Sequence, residues 1–216
     1  MDNKIFAEPV ETADNVLSVH DCIVGFLKNT KRDGIENLLD YMEKGGFYTA
    51  PASTRFHGAY IGALAEHSLN VYHCAMSLAC VLGSQEWYEK NKDSIIICAL
   101  LHDLGKMGQY NKPLYVENIL KTGQSKAQPF KINDELMTLD HEIVSVIEAT
   151  KYIYLTEEEQ RAIAWHNGLY GAFKYEISGK ETPLYMIIHW ADMWASRVIE
   201  KGDRNEQSYF DGAADR

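Results

Sequence analysis

The chain has 216 residues, with 21 lysines and arginines against 31 aspartates and glutamates, a formal charge of −10. This length fits one domain with a large core. The acidic balance excludes a general grip on duplex nucleic acid, which needs many cationic contacts to phosphate.

The longest apolar run is far short of a membrane span, and the opening MDNKIFAEPV lacks the basic and apolar regions of a signal peptide. Four cysteines, Cys22, Cys74, Cys80 and Cys98, fall in helix-like apolar stretches without paired metal spacing. They read as reduced core residues of a cytoplasmic protein.

Nearly every segment has helical character, so the fold class expected is all-α, a single helical bundle. Residues 1–46 read as an N-terminal helical segment packed on the core. In it Ile35, Leu38, Leu39 and Met42 recur at helical spacing, Asp33 with Glu36 makes a cap, and Gly45-Gly46 ends the helix. The main domain spans 47–200. A loop from Phe47 to Phe56 leads to a helix carrying Ile61, Leu64, Ala65, Leu69, Tyr72 and Met76. Asp93 or Ser94 starts the next, whose run IIICALL is expected to be a helix buried on all sides.

Residues 107–135, with Pro113, Pro129 and Gly123, read as an excursion, with a small β-hairpin near 110–132. Helical pattern resumes from about His141 to Tyr152. Thr156 with Glu159 forms a capping box for a helix ending at Gly168. A last core helix runs from about Leu184 to Ile199. The tail, 201–216, is polar and expected to fray.

The chemistry begins at His102-Asp103, which closes the apolar run and is followed by Leu104, Gly105 and Lys106. An imidazole and a carboxylate on a buried helix are costly unless a cation compensates, and a divalent metal is the obvious one. On a continuing helix Lys106 would share the face of His102 and aim a second positive charge at an anionic, phosphorylated ligand.

His67, His141, His166 and Asp192 each fall on, or at the end of, a further predicted helix. Helical bundles build metal sites from such inward side chains. Imidazole with carboxylate suits Fe, Mn, Zn, Ni or Co; Mg is possible but less natural. A lone histidine is ordinarily a packed or surface residue, but four of the chain's eight histidines share this order.

The order H…HD…H…H…D, with HDLGK at its second position, resembles the HD superfamily of metal-dependent phosphohydrolases over about residues 47–200. The segments FHGAYIGALAEHSLNV, LLHDLGK, LDHEIVSVI, AWHNG and IIHWADMWASR look most like the HD domain of bacterial exoribonucleases that join an OB-fold to it, and like stand-alone clostridial and phage HD hydrolases. The resemblance implies His67, His102, Asp103 and Asp192 as the minimal ligand set. It implies His141 and His166 as the extra pair of two-metal members, with Asp103 shared between the ions. The reaction implied is attack of metal-activated water on phosphorus, in a nucleotide or a short nucleic-acid 3′ end.

Lys106 would neutralise phosphate oxygens as charge builds; Arg197, Arg55 and His57 are further candidates for substrate contact. Residues 1–46 are too short and too helical for an OB-fold, so polymeric RNA is not expected as substrate. NGLYG replaces the GYP of the cyclic-dinucleotide branch, so cyclic di-GMP is not expected either. Two rival readings fit the same ligands: a di-iron oxygenase of the superfamily, and a non-catalytic nucleotide-binding HD module. The sequence leaves the oligomeric state open.

Other residues carry weaker signals. His20-Asp21 lacks the apolar helix and the GxK turn and reads as helix surface. His189 reads equally as a partner of a metal ligand or as a packed residue. His73 reads as structural, and Trp165, Trp190 and Trp194 as core. Lys112, Lys121, Lys126 and Lys131, interleaved with Tyr110, Tyr115 and Phe130, make the excursion either a base-stacking surface or a solvated hairpin.

Overall fold

The computed structural model describes residues 18–200 apart from 57 and 138. The polar tail from 201, the first 17 residues and His57 lie outside the described residues. The fold is all-α with a small β insertion, as the sequence pattern implies. Among the described residues there are eight α-helices: α1 (Val19–Asn29), α2 (Ile35–Gly45), α3 (Ala63–Leu82), α4 (Gln85–Leu101), α5 (His141–Thr150), α6 (Glu157–Ala164), α7 (Lys174–Ile177) and α8 (Pro183–Trp194). A π-helix, Ala195–Ile199, continues α8.

Helices α3, α4, α6 and α8 pack on one another as the centre of the bundle, with α1 across α3 and α4 and α5 beside α6. Each residue of the run Ile95 to Leu101 is buried, so the end of α4 is surrounded by other helices and delivers His102 and Asp103 into the middle of the molecule. Ile23 and Leu27 of α1, with Leu38 and Met42 of α2, are also fully buried and join that core.

The excursion is a two-part antiparallel hairpin. Strand β1 (Tyr115–Glu117) pairs with β4 (Phe130–Ile132), Tyr115 opposite Ile132, and the shorter β2 (Ile119–Leu120) and β3 (Gly123–Gln124) extend it toward the tip. Phe130 is buried at its base, where its N–H donates to the Thr54 carbonyl at 3.2 Å. That burial removes it from any base-stacking surface. Tyr110 turns away to lie under the Lys151 ammonium.

Several local expectations need correction. Helix α4 starts at Gln85, not near Asp93, because Ser84 caps it by accepting from the Trp87 N–H. Its first turns are polar and exposed on one side, so they carry no apolar periodicity to read. The Asp33–Glu36 cap of α2 is absent: Gly34 holds the N-cap position with no side-chain bond, and Glu36 pairs with Lys28 at 3.1 Å. Ile61 precedes α3 and is exposed. The Thr156–Glu159 capping box is present, but α6 closes at Ala164 rather than Gly168. All four cysteines are free thiols, yet Cys80 is exposed rather than in the core. Trp165 is partly buried against the core, whereas Trp190 and Trp194, four residues apart on the outer face of α8, are exposed. No described helix is long and apolar enough to cross a membrane.

Candidate metal centre

His67 lies on α3, His102 caps the end of α4, Asp103 opens the turn that follows, His141 is the first residue of α5, His166 follows α6 and Asp192 lies on α8. The structure brings all six side chains to one place. The closest contacts centre on Asp103, whose side chain is almost completely buried.

The two oxygens of Asp103 face different partners. Oδ2 is 3.3 Å from His102 Nε2 and 3.5 Å from His67 Nε2, and His67 Nε2 is 3.2 Å from Asp192 Oδ1. Oδ1 is 3.2 Å from His141 Nε2 and 3.5 Å from His166 Nε2.

Each imidazole is held through its other nitrogen. His102 Nδ1 donates to the Ala99 carbonyl at 2.9 Å and His166 Nδ1 to that of Ile163 at 2.8 Å. His67 Nδ1 lies 3.0 Å from both oxygens of Glu200, and His141 Nδ1 is 3.2 Å from Glu142. With the proton on Nδ1, every Nε2 presents a lone pair to the cluster. A carboxylate or carbonyl behind a histidine fixes tautomer and ring angle in this way at metal sites.

The HDLGK turn is shaped by its neighbours. Leu104–Met107 form a 3-10 turn, so Lys106 does not share an α-helical face with His102. The Lys106 ammonium instead donates to Asp103 Oδ2 at 2.6 Å. Gly105 lies so close to α5 that an added Cβ would fall 2.4 Å from the His141 carbonyl and 2.8 Å from Val144. Its N–H donates to Ser145 Oγ at 2.9 Å. The glycine lets the Asp103 turn and the His141 helix touch.

Electrostatics reinforce the geometry. Burial opposes ionisation of Asp103, but the Lys106 charge and the surrounding imidazoles hold it well below the ordinary carboxylate range. The same balance, with His67 as main partner, lowers Asp192. Burial disfavours the charged form of His67, yet Asp192 and Glu200 raise it to about 10. Burial and the neighbouring His102 push His166 down to about 4. Lys106 is raised above its usual value because Asp103 outweighs its burial.

The residues fit a divalent cation. Two groups, His67/His102/Asp192 and His102/Asp103/His166, each have ligand atoms within 4.8 Å of one another. Asp103 Oδ1 is buried without a hydrogen-bond donor. The Nε2 atoms of His67 and His102 sit 3.2 Å apart. Two lone pairs facing each other beside two carboxylates call for positive charge between them, which a metal ion supplies and a proton on His67 supplies in part.

Three further residues take part; the sequence offers His189 as a partner of a metal ligand and gives no sign of Glu200 or Asn167. Glu200 backs His67 and also accepts from Asn70 Nδ2 at 3.0 Å. Asn167 donates to Glu142 at 2.6 Å and lies 3.3 Å from His166 Nε2. His189 donates from Nδ1 to the His166 carbonyl at 2.7 Å, packing against the backbone of that residue. His20 is exposed on α1, 3.3 Å from Asp21 and 3.2 Å from Glu43, remote from the cluster in its contacts. His73 is half-buried against Phe26, and burial lowers its pKa.

A cavity of about 1180 Å³ opens over the cluster, lined by Lys106, Asp192, Asn167 and His189 within, and by Arg55 and Arg197 toward solvent. Both arginines lie over aromatic rings, Arg55 over Phe56 at 4.8 Å and Arg197 over Tyr170 at 5.0 Å.

An all-α bundle whose helix ends converge four imidazoles and two aspartates on one buried point defines a class of helical domain able to hold divalent metal. The chain belongs to the HD domain family, which it matches over residues 64–195. It is 39% identical over 178 residues to the dihydroneopterin 2′,3′-cyclic phosphate phosphodiesterase of Methanocaldococcus jannaschii, an alignment covering 82% of this chain. The chain spans 62% of the length of that relative. No solved structure matches.

Proposed function

We propose that the chain is a metal-dependent phosphohydrolase that cleaves a small nucleotide-like phosphoester. The observation that carries this reading is Asp103. It is buried between two sets of imidazole lone pairs, His67 and His102 at one oxygen and His141 and His166 at the other. Asp103 with His67, His102 and Asp192 would hold one divalent ion, and Asp103 with His141 and His166 a second. The imidazole-rich donor set favours Fe, Mn, Zn, Ni or Co over Mg. A bound ion supplies a Lewis acid and brings the pKa of water down to about 7.

The chain's own residues do the rest. The hydrogen bonds at each Nδ1 turn Nε2 toward the cluster and fix each ring in angle, so little reorganisation accompanies reaction. Lys106, partly exposed on the cavity wall, carries the charge that meets phosphate oxygens as they become more negative. The cavity is large enough for a nucleotide and lies at a buried cluster, which supports a small ester or a single strand end over a duplex. The relative that acts on a cyclic phosphate ester of a pterin supports the same substrate class. Four free thiols suit a cytoplasmic setting.

The test is metal analysis of the purified protein followed by a hydrolysis screen with added Mn²⁺. The screen would contain 2′,3′-cyclic nucleotides, nucleoside monophosphates and short oligonucleotides. One or two tightly held ions and release of phosphate or an opened ester are expected. Tight nucleotide binding without turnover would replace this reading with the non-catalytic nucleotide-binding module.

A further inference from the structure

The rim of the cavity holds features that the cluster chemistry leaves unused. Phe56, Tyr60 and Tyr170 line the cavity with more than half of their surface exposed. Exposed aromatic rings seldom gather at a buried polar site without a ligand to cover them. Two of the three carry a guanidinium over the ring, Arg197 on Tyr170 and Arg55 on Phe56. In a chain of charge −10, this places cationic planar groups beside aromatic planes at the mouth of a site proposed to take phosphate.

Tyr170 sits on a fixed mount. It ends the 3-10 turn Gly168–Tyr170, and its N–H donates to the Asn167 carbonyl at 3.1 Å. Gly168 has φ +56°, and an added Cβ would fall 2.3–2.8 Å from the His189 ring. Only glycine suits both the conformation and the approach. His189 is in turn tied to the His166 carbonyl, and Asn167 to Glu142. The turn that carries Tyr170 is therefore bolted to the residues behind His166 and His141, at a set position relative to the cluster.

We infer that Tyr170, with Arg197, is the platform on which the planar heteroaromatic ring of the substrate stacks while its phosphate reaches Lys106 at the cluster. The inference rests on the phosphoester reading and adds the ring as the recognised group. Aromatic faces and guanidinium planes accept any flat π-system, a nucleobase or a pterin alike. Stacking gives selectivity for a ring-bearing ester over a sugar phosphate. Unlike the hairpin aromatics Tyr110, Tyr115 and Phe130, Tyr170 and Arg197 both line the cavity over the cluster.

The experiment compares affinities by calorimetry on Mn²⁺-loaded protein. The probes are adenosine 5′-monophosphate, neopterin monophosphate and ribose 5-phosphate. The native protein should bind at least one ring-bearing probe about 10-fold or more tightly than ribose 5-phosphate, the size expected for a single stacked ring. The probe with the larger gap identifies the ring as nucleobase or pterin. Tyr170→Ala should collapse the gap, and Tyr170→Phe, which keeps the ring, should preserve it. Circular dichroism confirms that both variants are folded. An unchanged gap in Tyr170→Ala overturns the platform. Equal native affinity for all three probes also overturns it while leaving the phosphoester reading intact. A native protein that binds none of them overturns both.

Discussion

Replacing Glu200 by alanine is expected to weaken metal binding by about 10- to 100-fold, the usual effect of removing the partner behind a metal-bound histidine. The carboxylate meets the His67 Nδ1 edge at 3.0 Å through both oxygens and is itself held by Asn70. With Asp192 and Asp103 it is one of three carboxylates that raise His67 to about 10, so its charge as well as its geometry is lost. At about 1.4 kcal/mol per tenfold, the effect corresponds to roughly 1.4–2.8 kcal/mol. Alanine should lie at the upper end. Glu200→Gln, which retains an oxygen acceptor, should lie at the lower end. The assay is competitive titration of metal-free protein with Zn²⁺ against a chelating dye. Native affinity in Glu200→Ala would refute the idea that Glu200 orients His67 for a metal.

Asp103→Ala should abolish tight metal binding and turnover together, because both imidazole sets lose their common oxygen donor, while the exposed His20→Ala should change neither; equal effects would place the centre at the wrong pair. Lys106→Ala should retain the metals but lose about 10²-fold or more in rate, by analogy with removing one transition-state donor; stopped hydrolysis assays with parallel metal analysis would show it, and a native rate would remove Lys106 from the mechanism. Arg32→Ala should destabilise the fold by roughly 3–5 kcal/mol, since Glu159 is fully buried and paired with it at 2.6 Å. Burial raises the Glu159 pKa, but Arg32 outweighs it and the net shift is downward. The pair's contribution is therefore complete above the unfolded carboxyl value of about 4.3 and is lost as pH falls through the folded one. The gap in melting temperature between native and Arg32→Ala should narrow on going from neutral to acid pH, and a constant gap would contradict this.

The bundle and the six converging side chains were legible because each depends on local pattern. Apolar periodicity marks the helices, and His102-Asp103 at the end of a fully apolar run marks a buried helix end. Of the supporting groups only His189, three residues before Asp192, carries a signal in the sequence; the others act across the fold. Glu200 reaches His67 only through the π-helix register of Ala195–Ile199. His189 reaches the His166 carbonyl only because the Gly168 turn admits its ring. The apolar content of Trp190 and Trp194 carries no information about which face of α8 meets solvent. Phe130 and Tyr110 look alike in sequence, yet the hairpin base buries one and exposes the other. The face expected for Lys106 requires α4 to continue; the helix ends at Leu101, and the 3-10 turn Leu104–Met107 sends the ammonium to Asp103.

The central claim, hydrolysis at a metal-binding cluster, is tested most directly by stripping the protein of metal, reloading it with Mn²⁺ without oxygen, and assaying phosphoester cleavage. A hydrolase needs only a Lewis acid, so phosphate release or ring opening of a cyclic phosphate is expected under these conditions. Activity that returns only with iron, and that consumes oxygen in step with product, would contradict the claim and assign the centre to oxygenase chemistry.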